Sequence, residues 1–189
     1  ISVGVIVFAG RIVDLFYGLT NYNPTVLVLQ ALAFGLVFLY VDMVLGTTLL
    51  SSDRQKHQSL VAFLAIPVNV GMNLVLIPYF QHHTGNGGIG AAIATTLTEV
   101  CIMVSFLYLL PKGILKGFRL VVLLKSLVAA LAMAGWIWLL TEIHVPWLLQ
   151  IPISAVVYTL LVWKLRTLEP VEEEFFRSLL TLQSLRHLR

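Results

Sequence analysis

Charge is what this chain has least of. Only 11% of its 189 residues are Asp, Glu, Lys or Arg, while 59% are hydrophobic and the mean hydropathy is +0.94. Soluble domains carry about 25% charged residues, so water is excluded as the main solvent of this fold. Cysteine is almost missing as well. Cys101 stands alone inside an apolar run, which excludes an internal disulfide and reads as a small buried hydrophobe. Nowhere does the chain alternate apolar and polar residues over about ten positions, as the strands of a membrane barrel would. A Lys/Arg-rich face is also lacking. The net charge of +3 therefore does not point to nucleic acid, because the basic residues sit at the ends of apolar segments. Catalytic and metal-ligand spacings are missing too. His82 and His83 are adjacent, His57, His144 and His187 fall at interfaces, and none has zinc-site spacing with Cys or acidic residues. The Gly-rich "TGNGGIG" lacks the Lys-Ser/Thr of a phosphate loop.

What is there is a succession of long apolar runs. About 20 apolar residues are needed to cross roughly 30 Å of hydrocarbon, and six runs meet or approach this, at 1–17, 24–50, 57–78, 89–110, 119–141 and 147–165. The expected fold is an all-α integral membrane protein with about six transmembrane helices. Pro24 and Pro146 punctuate helix starts, Gly18 and Pro111 helix ends, and Thr84–Gly88 a turn. The first run begins without an initiator Met or a basic leader, which reads as the C-terminal part of a longer protein.

Loop charge predicts direction. The loops around 51–57, 111–119 and after 163 hold Arg54, Lys56, Lys112, Lys116, Arg119, Lys164 and Arg166, whereas those around 19–23, 79–88 and 141–146 hold no Lys or Arg. Basic loops stay cytoplasmic, so the C-terminus is expected inside, in a multi-pass protein of the cell membrane. The bundle is taken as residues 1–167. Residues 168–189, with Glu172–Glu174 early, Arg186 and Arg189 late and a Phe/Leu face, are expected to form an amphipathic helix on the cytoplasmic membrane surface.

A carboxylate inside a bilayer costs about 2.5–3.5 kcal/mol or more, so intramembrane ionisable residues face a cavity or a partner. The candidates are Arg11, Asp14, Asp42 and Glu99, with the amides Asn69 and Asn73. At about 1.5 Å per residue, Glu99 lies roughly 15 Å below the outer surface and Asn69 lies at a similar depth on the neighbouring helix. Those two are expected side by side, with Asn73 near Thr95 and Thr96. Pro67, two residues before Asn69, frees the carbonyl near Phe63 and predicts a kink. Arg11 and Asp14, three apart, can pair on their helix. Asp42 has no basic residue within a turn and requires a partner, water or its neutral form. Gly90–Ala94 and Ala91–Thr95 are small pairs that let another helix approach closely.

The stretch "VNVGMNLVLIP" at Val68–Pro78, followed by "GIGAAIATTLTE" at Gly88–Glu99, resembles the polysaccharide flippases of the multidrug/oligosaccharidyl-lipid/polysaccharide exporter superfamily. "IVDLFYG" at Ile12–Gly18, "VLQALAF" at Val28–Phe34 and the basic Arg54 and Lys56 after "TTLLSS" follow in the same order. The likeness covers roughly residues 1–110. It departs at "YFQHHTGNGG", which is longer than the usual turn and is expected to form an extended outer loop over 79–88. The resemblance implies a 12–14-helix, two-bundle transporter of which this chain is about the last six helices. It also implies alternating access that moves a lipid-linked oligosaccharide or polysaccharide repeat unit outward, without enzymatic chemistry or a cofactor beyond a coupling proton or sodium ion. Asp42, Asn69, Asn73 and Glu99 would line the pathway, and Arg11 would meet a diphosphate. Partners would be the lipid-linked sugar, membrane lipids and polysaccharide assembly proteins, with no nucleic acid. Drug or cation antiport, or flipping of a peptidoglycan precursor, is the alternative within the superfamily. A membrane glycan polymerase or ligase would call for long outer loops bearing Arg or His.

Overall fold

The computed structural model describes residues 1–111, 113–114 and 120–165. Among them the regular elements are all helical: α1 (Ser2–Tyr17), α2 (Leu19–Ser51), α3 (Gln55–Thr84), α4 (Gly87–Leu109), α5 (Leu120–Glu142) and α6 (Trp147–Lys164). The all-α membrane architecture read from composition is the one observed. Five of these helices, α2 to α6, are long and apolar enough to cross a membrane. The first run forms a helix of 16 residues, short of that length. The expected tail helix at 168–189 lies outside the described residues.

Two compact units divide the chain, Ile1–Phe118 and Arg119–Arg189. In the first, α1 packs on α2, α2 on α4, and α4 on α3, so that α4 runs between α2 and α3. Its apolar centre joins Leu45 and Leu49 of α2 to Phe106 of α4 and Leu110 just beyond it. In the second unit α5 packs against α6, burying Ala129, Met133, Ile137 and Leu140. Gln150 is buried there because both ends of its amide are used: it donates to the Val145 carbonyl (2.8 Å) and accepts from Thr141 (3.3 Å).

The connections are tighter than the sequence predicts. Segment 19–23 belongs to α2, which starts directly after Gly18, and Pro24 sits within the helix. The expected outer loop at 79–88 is mostly helix as well. α3 continues through Pro67 and Pro78 to Thr84, leaving Gly85 and Asn86 as the whole connection to α4. Gly85 takes the left-handed conformation (φ 69°) that ends a helix, and its N–H closes back on the Gln81 carbonyl. Asn86 then caps α4 by accepting from the Gly88 N–H at 3.1 Å. Its amide donates to the Pro24 carbonyl of α2 at 2.8 Å. Proline survives inside these helices because only one backbone donor is lost at each.

Two other turns end on a left-handed residue. At the end of α2, Asp53 (φ 56°) lets the Arg54 N–H reach the Leu49 carbonyl at 2.9 Å. Between α5 and α6, His144 (φ 60°) does the same for the Val145 N–H and the Leu140 carbonyl at 3.1 Å. In both, the six-to-one bond satisfies carbonyls that a helix end would otherwise leave open.

Candidate functional site

α4 carries the site because it is flanked on two sides. Successive helical residues point about 100° apart, so adjacent positions on α4 serve different neighbours. Thr98 faces α3 and Glu99 faces α2.

On the α3 side a polar relay crosses the helix pair. The Asn73 amide donates to both the backbone carbonyl and the side-chain oxygen of Asn69, each at 2.9 Å. Asn69 in turn donates to the Thr98 hydroxyl at 3.0 Å, and Thr98 donates to the Ala94 carbonyl at 2.8 Å. Thr98 is buried, and its hydroxyl is used as both acceptor and donor. The expectation that Asn69 and Glu99 stand together is therefore corrected by one residue: the α4 partner of Asn69 is Thr98. Asn73 makes its own bonds within α3, and four residues from Asn69 on the antiparallel helix it falls near the level of Ala94 and Thr95.

On the α2 side, Glu99 meets Asp42. Asp42 is only 7% exposed, and neither of its carboxyl oxygens has a hydrogen-bond donor. Among the described residues the charged group acting on it is the Glu99 carboxyl, which lies in electrostatic and hydrogen-bonding range. Two ionised carboxylates only accept, so a hydrogen bond between them requires one carboxyl to carry a proton. Their levels match: Asp42 is about 13 Å from the Ser51 end of α2 and Glu99 about 15 Å from the Leu109 end of α4, at 1.5 Å per residue.

The close approach of the helices rests on small residues. Gly90 and Ala94 are buried on α4, and a side chain at Gly90 would run into the Leu76–Ile77 backbone of α3. The second small pair is not buried in the same way, since Thr95 is exposed. Gly35 of α2 lies against Thr96, whose hydroxyl donates to the Ala31 carbonyl at 3.4 Å. At the Arg54 end, the guanidinium donates to the Leu109 carbonyl at 2.6 Å.

Arg11 and Asp14 are both exposed on α1. α1 is joined to α2 by a residue that sequence reasoning passed over: Gln30 donates to the Ile6 carbonyl at 3.1 Å. Cys101 departs from its expected burial, lying exposed beside Val61, Leu64 and Ala65 of α3. Among the described residues no three His, Cys, Asp or Glu side chains gather as a metal site.

Apolar helices, five of them long enough to cross a membrane, with polar side chains paired across them define a multi-pass membrane protein. Comparison with known proteins carries the assignment further. The chain matches the family described as lipid II flippase MurJ over residues 1–158, and it belongs to that family. It is also 33% identical over 76 residues to the probable multidrug resistance protein NorM of Bacillus cereus (strain ATCC 10987 / NRS 248). That match covers 40% of this chain and 17% of the relative's length. No solved structure matches the chain. Both findings place it in the exporter superfamily that the Asn69-to-Glu99 stretch resembles.

Proposed function

We propose that this chain is part of a flippase that carries a lipid-linked glycan precursor across the cytoplasmic membrane by alternating access, with a peptidoglycan precursor as the substrate. The observation that carries this reading is the family match, which runs through all six helices as far as residue 158. It favours the peptidoglycan precursor over the polysaccharide repeat units suggested by the motif resemblance, and the two substrates share a lipid diphosphate and a sugar. Basic connections at Arg54, Lys56 and Lys164 support a cytoplasmic C-terminus. Asp42, Glu99, Asn69 and Asn73 supply the polar positions in an otherwise apolar bundle. Arg11, exposed on α1, is the basic residue for a diphosphate, and no step requires covalent chemistry by the protein.

The test is complementation. The full-length protein is expressed in cells depleted of their own peptidoglycan-precursor flippase. The readout is labelling of the precursor's amine by a membrane-impermeant reagent at the outer face. Restored labelling is expected, with Glu99→Gln reducing it at normal membrane abundance. No restoration by a protein present at normal abundance would sink the reading. The NorM likeness supports a second reading, export of drugs. That reading predicts raised resistance to cationic drugs with no change in labelling.

A further inference from the structure

We infer that Tyr79, His82 and His83, at the far end of α3, form a platform that takes a sugar ring of the transported glycan at the outer side of the membrane. This end of the Gly/His-rich stretch has no part in the pathway described above. α3 has 30 residues, which is about 45 Å at 1.5 Å per residue, against about 30 Å of hydrocarbon. With the basic turn at Arg54 and Lys56 inside, the helix outruns the hydrocarbon. Its last turns then stand among headgroups and water. His82 and His83 follow Tyr79 by three and four residues, so the three side chains share one face of the helix. All three are exposed. The Tyr79 ring stacks on that of His83, with centroids 4.2 Å apart and planes inclined by 30°. The His82 ring meets His83 edge to face at 5.2 Å. Even so stacked, Tyr79 is 53% exposed.

Among the described residues, the hydrogen bonds and ring contacts of this trio stay within α3, so packing on another helix does not account for it. The fold is served by Gln81, whose side-chain oxygen accepts from the Gly87 N–H of α4 at 2.9 Å. A tyrosine alone would serve as an aromatic anchor at the membrane surface, but the paired imidazoles add a hydrogen-bonding edge. A carbonyl only accepts, so the 2.8 Å contact between His83 Nδ1 and the Tyr79 carbonyl is a donation from Nδ1. In the neutral ring this leaves Nε2 as an acceptor. An acceptor beside an exposed aromatic ring matches a pyranose. Its C–H groups lie against the electron-rich ring face, and a hydroxyl or acetamido N–H donates to Nε2. Charge argues the same way. From His57 to Thr98 there is no Asp, Glu, Lys or Arg, so this end of α3 has no carboxylate for an ammonium group and no fixed cation for a diphosphate. The ligand chemistry is that of a neutral sugar. An N-acetylated amino sugar matches best, because its acetamido group brings both an N–H donor and an apolar methyl.

That the sugar belongs to the transported molecule rests on the flippase reading, whereas the platform itself does not. The experiment is saturation-transfer NMR on the purified full-length protein, in a detergent without a sugar headgroup. N,N′-diacetylchitobiose is the probe and inorganic pyrophosphate the anionic comparison. Saturable transfer to the ring and acetyl protons of the disaccharide is expected, and pyrophosphate should not displace it. Tyr79→Ala and His83→Ala should each weaken binding by about fivefold or more, the scale of one ring contact. Tyr79→Phe keeps the ring and should keep the binding. Tyr17→Ala, which removes another exposed tyrosine, should bind as the wild type does. Unfolding midpoints of all four variants should stay close to that of the wild type, because these are exposed positions. Absence of saturable transfer to the wild type overturns the inference. So does equal binding by the wild type, Tyr79→Ala and His83→Ala, an equal loss in Tyr17→Ala, or displacement by pyrophosphate. Sugar binding by a protein that does not flip the precursor would keep the platform and sink the transport reading. Precursor flipping by a protein that binds no sugar here would sink the platform alone.

Discussion

Replacing Gly90 by alanine adds one methyl group where α3 and α4 come closest, and the outcome can be worked from the geometry. The new Cβ would sit 2.6 Å from the Leu76 carbonyl carbon and 2.9 Å from the Ile77 Cα. Carbon atoms rest at about 3.5–4.0 Å, so the helices must part by about 1 Å at this level. The obstruction is backbone, so no side-chain rotation can relieve it. Overpacking of this kind costs about 1–3 kcal/mol. Ala in place of Gly recovers up to about 1 kcal/mol of helix propensity. Separation also stretches the Asn69–Thr98 bond, now 3.0 Å, two turns along, and interhelical bonds of this type in membranes average about 0.6 kcal/mol. The net expectation is a loss of about 2 kcal/mol, or about 4–8 °C in the unfolding midpoint for a chain of this size. The assay is thermal unfolding of the purified protein in detergent, with Gly71→Ala as control. Gly71 lies on α3, and a methyl group added there would meet nothing within 4 Å, so its replacement should be neutral or slightly stabilising. Equal stability of Gly90→Ala and Gly71→Ala would refute the close-packing argument.

Asn86→Ala removes both the α4 cap and the bridge to Pro24, and should cost about 1–2 kcal/mol of stability in denaturant titration. Asn86→Asp keeps the cap but loses the bridge, and should fall between the two. Arg54→Ala deletes a charged bond to the Leu109 carbonyl worth about 1.5–3 kcal/mol. Hydrogen exchange at the end of α4 should rise in this variant while that of α6 stays unchanged.

Fold class and helix number were legible because a bilayer imposes length and apolarity on every crossing segment. Helix ends were less so. Pro78 and the Gly/His-rich stretch after it read as an outer loop, yet α3 runs on to Thr84 because a single proline removes only one donor and Gly85 with Asn86 suffices to turn the chain. A Gly-Asn pair directly before a helix is a C-cap followed by an N-cap, and that signal was present in the sequence. Depth along each helix was also legible. Asn69 and residues 98–99 do stand at one level, and Asp42 is matched with Glu99. Rotation was not. One residue's step turns a side chain by about 100°, and which of Thr98 and Glu99 meets Asn69 depends on α4 lying between α2 and α3. Adjacency in sequence concealed that order, since α2 precedes α3 in the chain but packs chiefly on α4.

That order bears on the carboxyl pair. α2 and α4 are joined beyond Asp42 and Glu99 in both directions. Toward the α4 start, Asn86 bonds to Pro24, and Gly35 lies against Thr96. Toward the other end, Leu45 and Leu49 pack with Phe106 and Leu110, and the turn after α2 is tied to Leu109 through Arg54. Two carboxylates held between such clamps cannot relieve their repulsion by separating the helices, since that would break contacts on both sides. One of the two carboxyls can be relieved in place by carrying a proton and donating to the other. The contact between the two carboxyls is thereby held by the same clamps that hold α2 against α4.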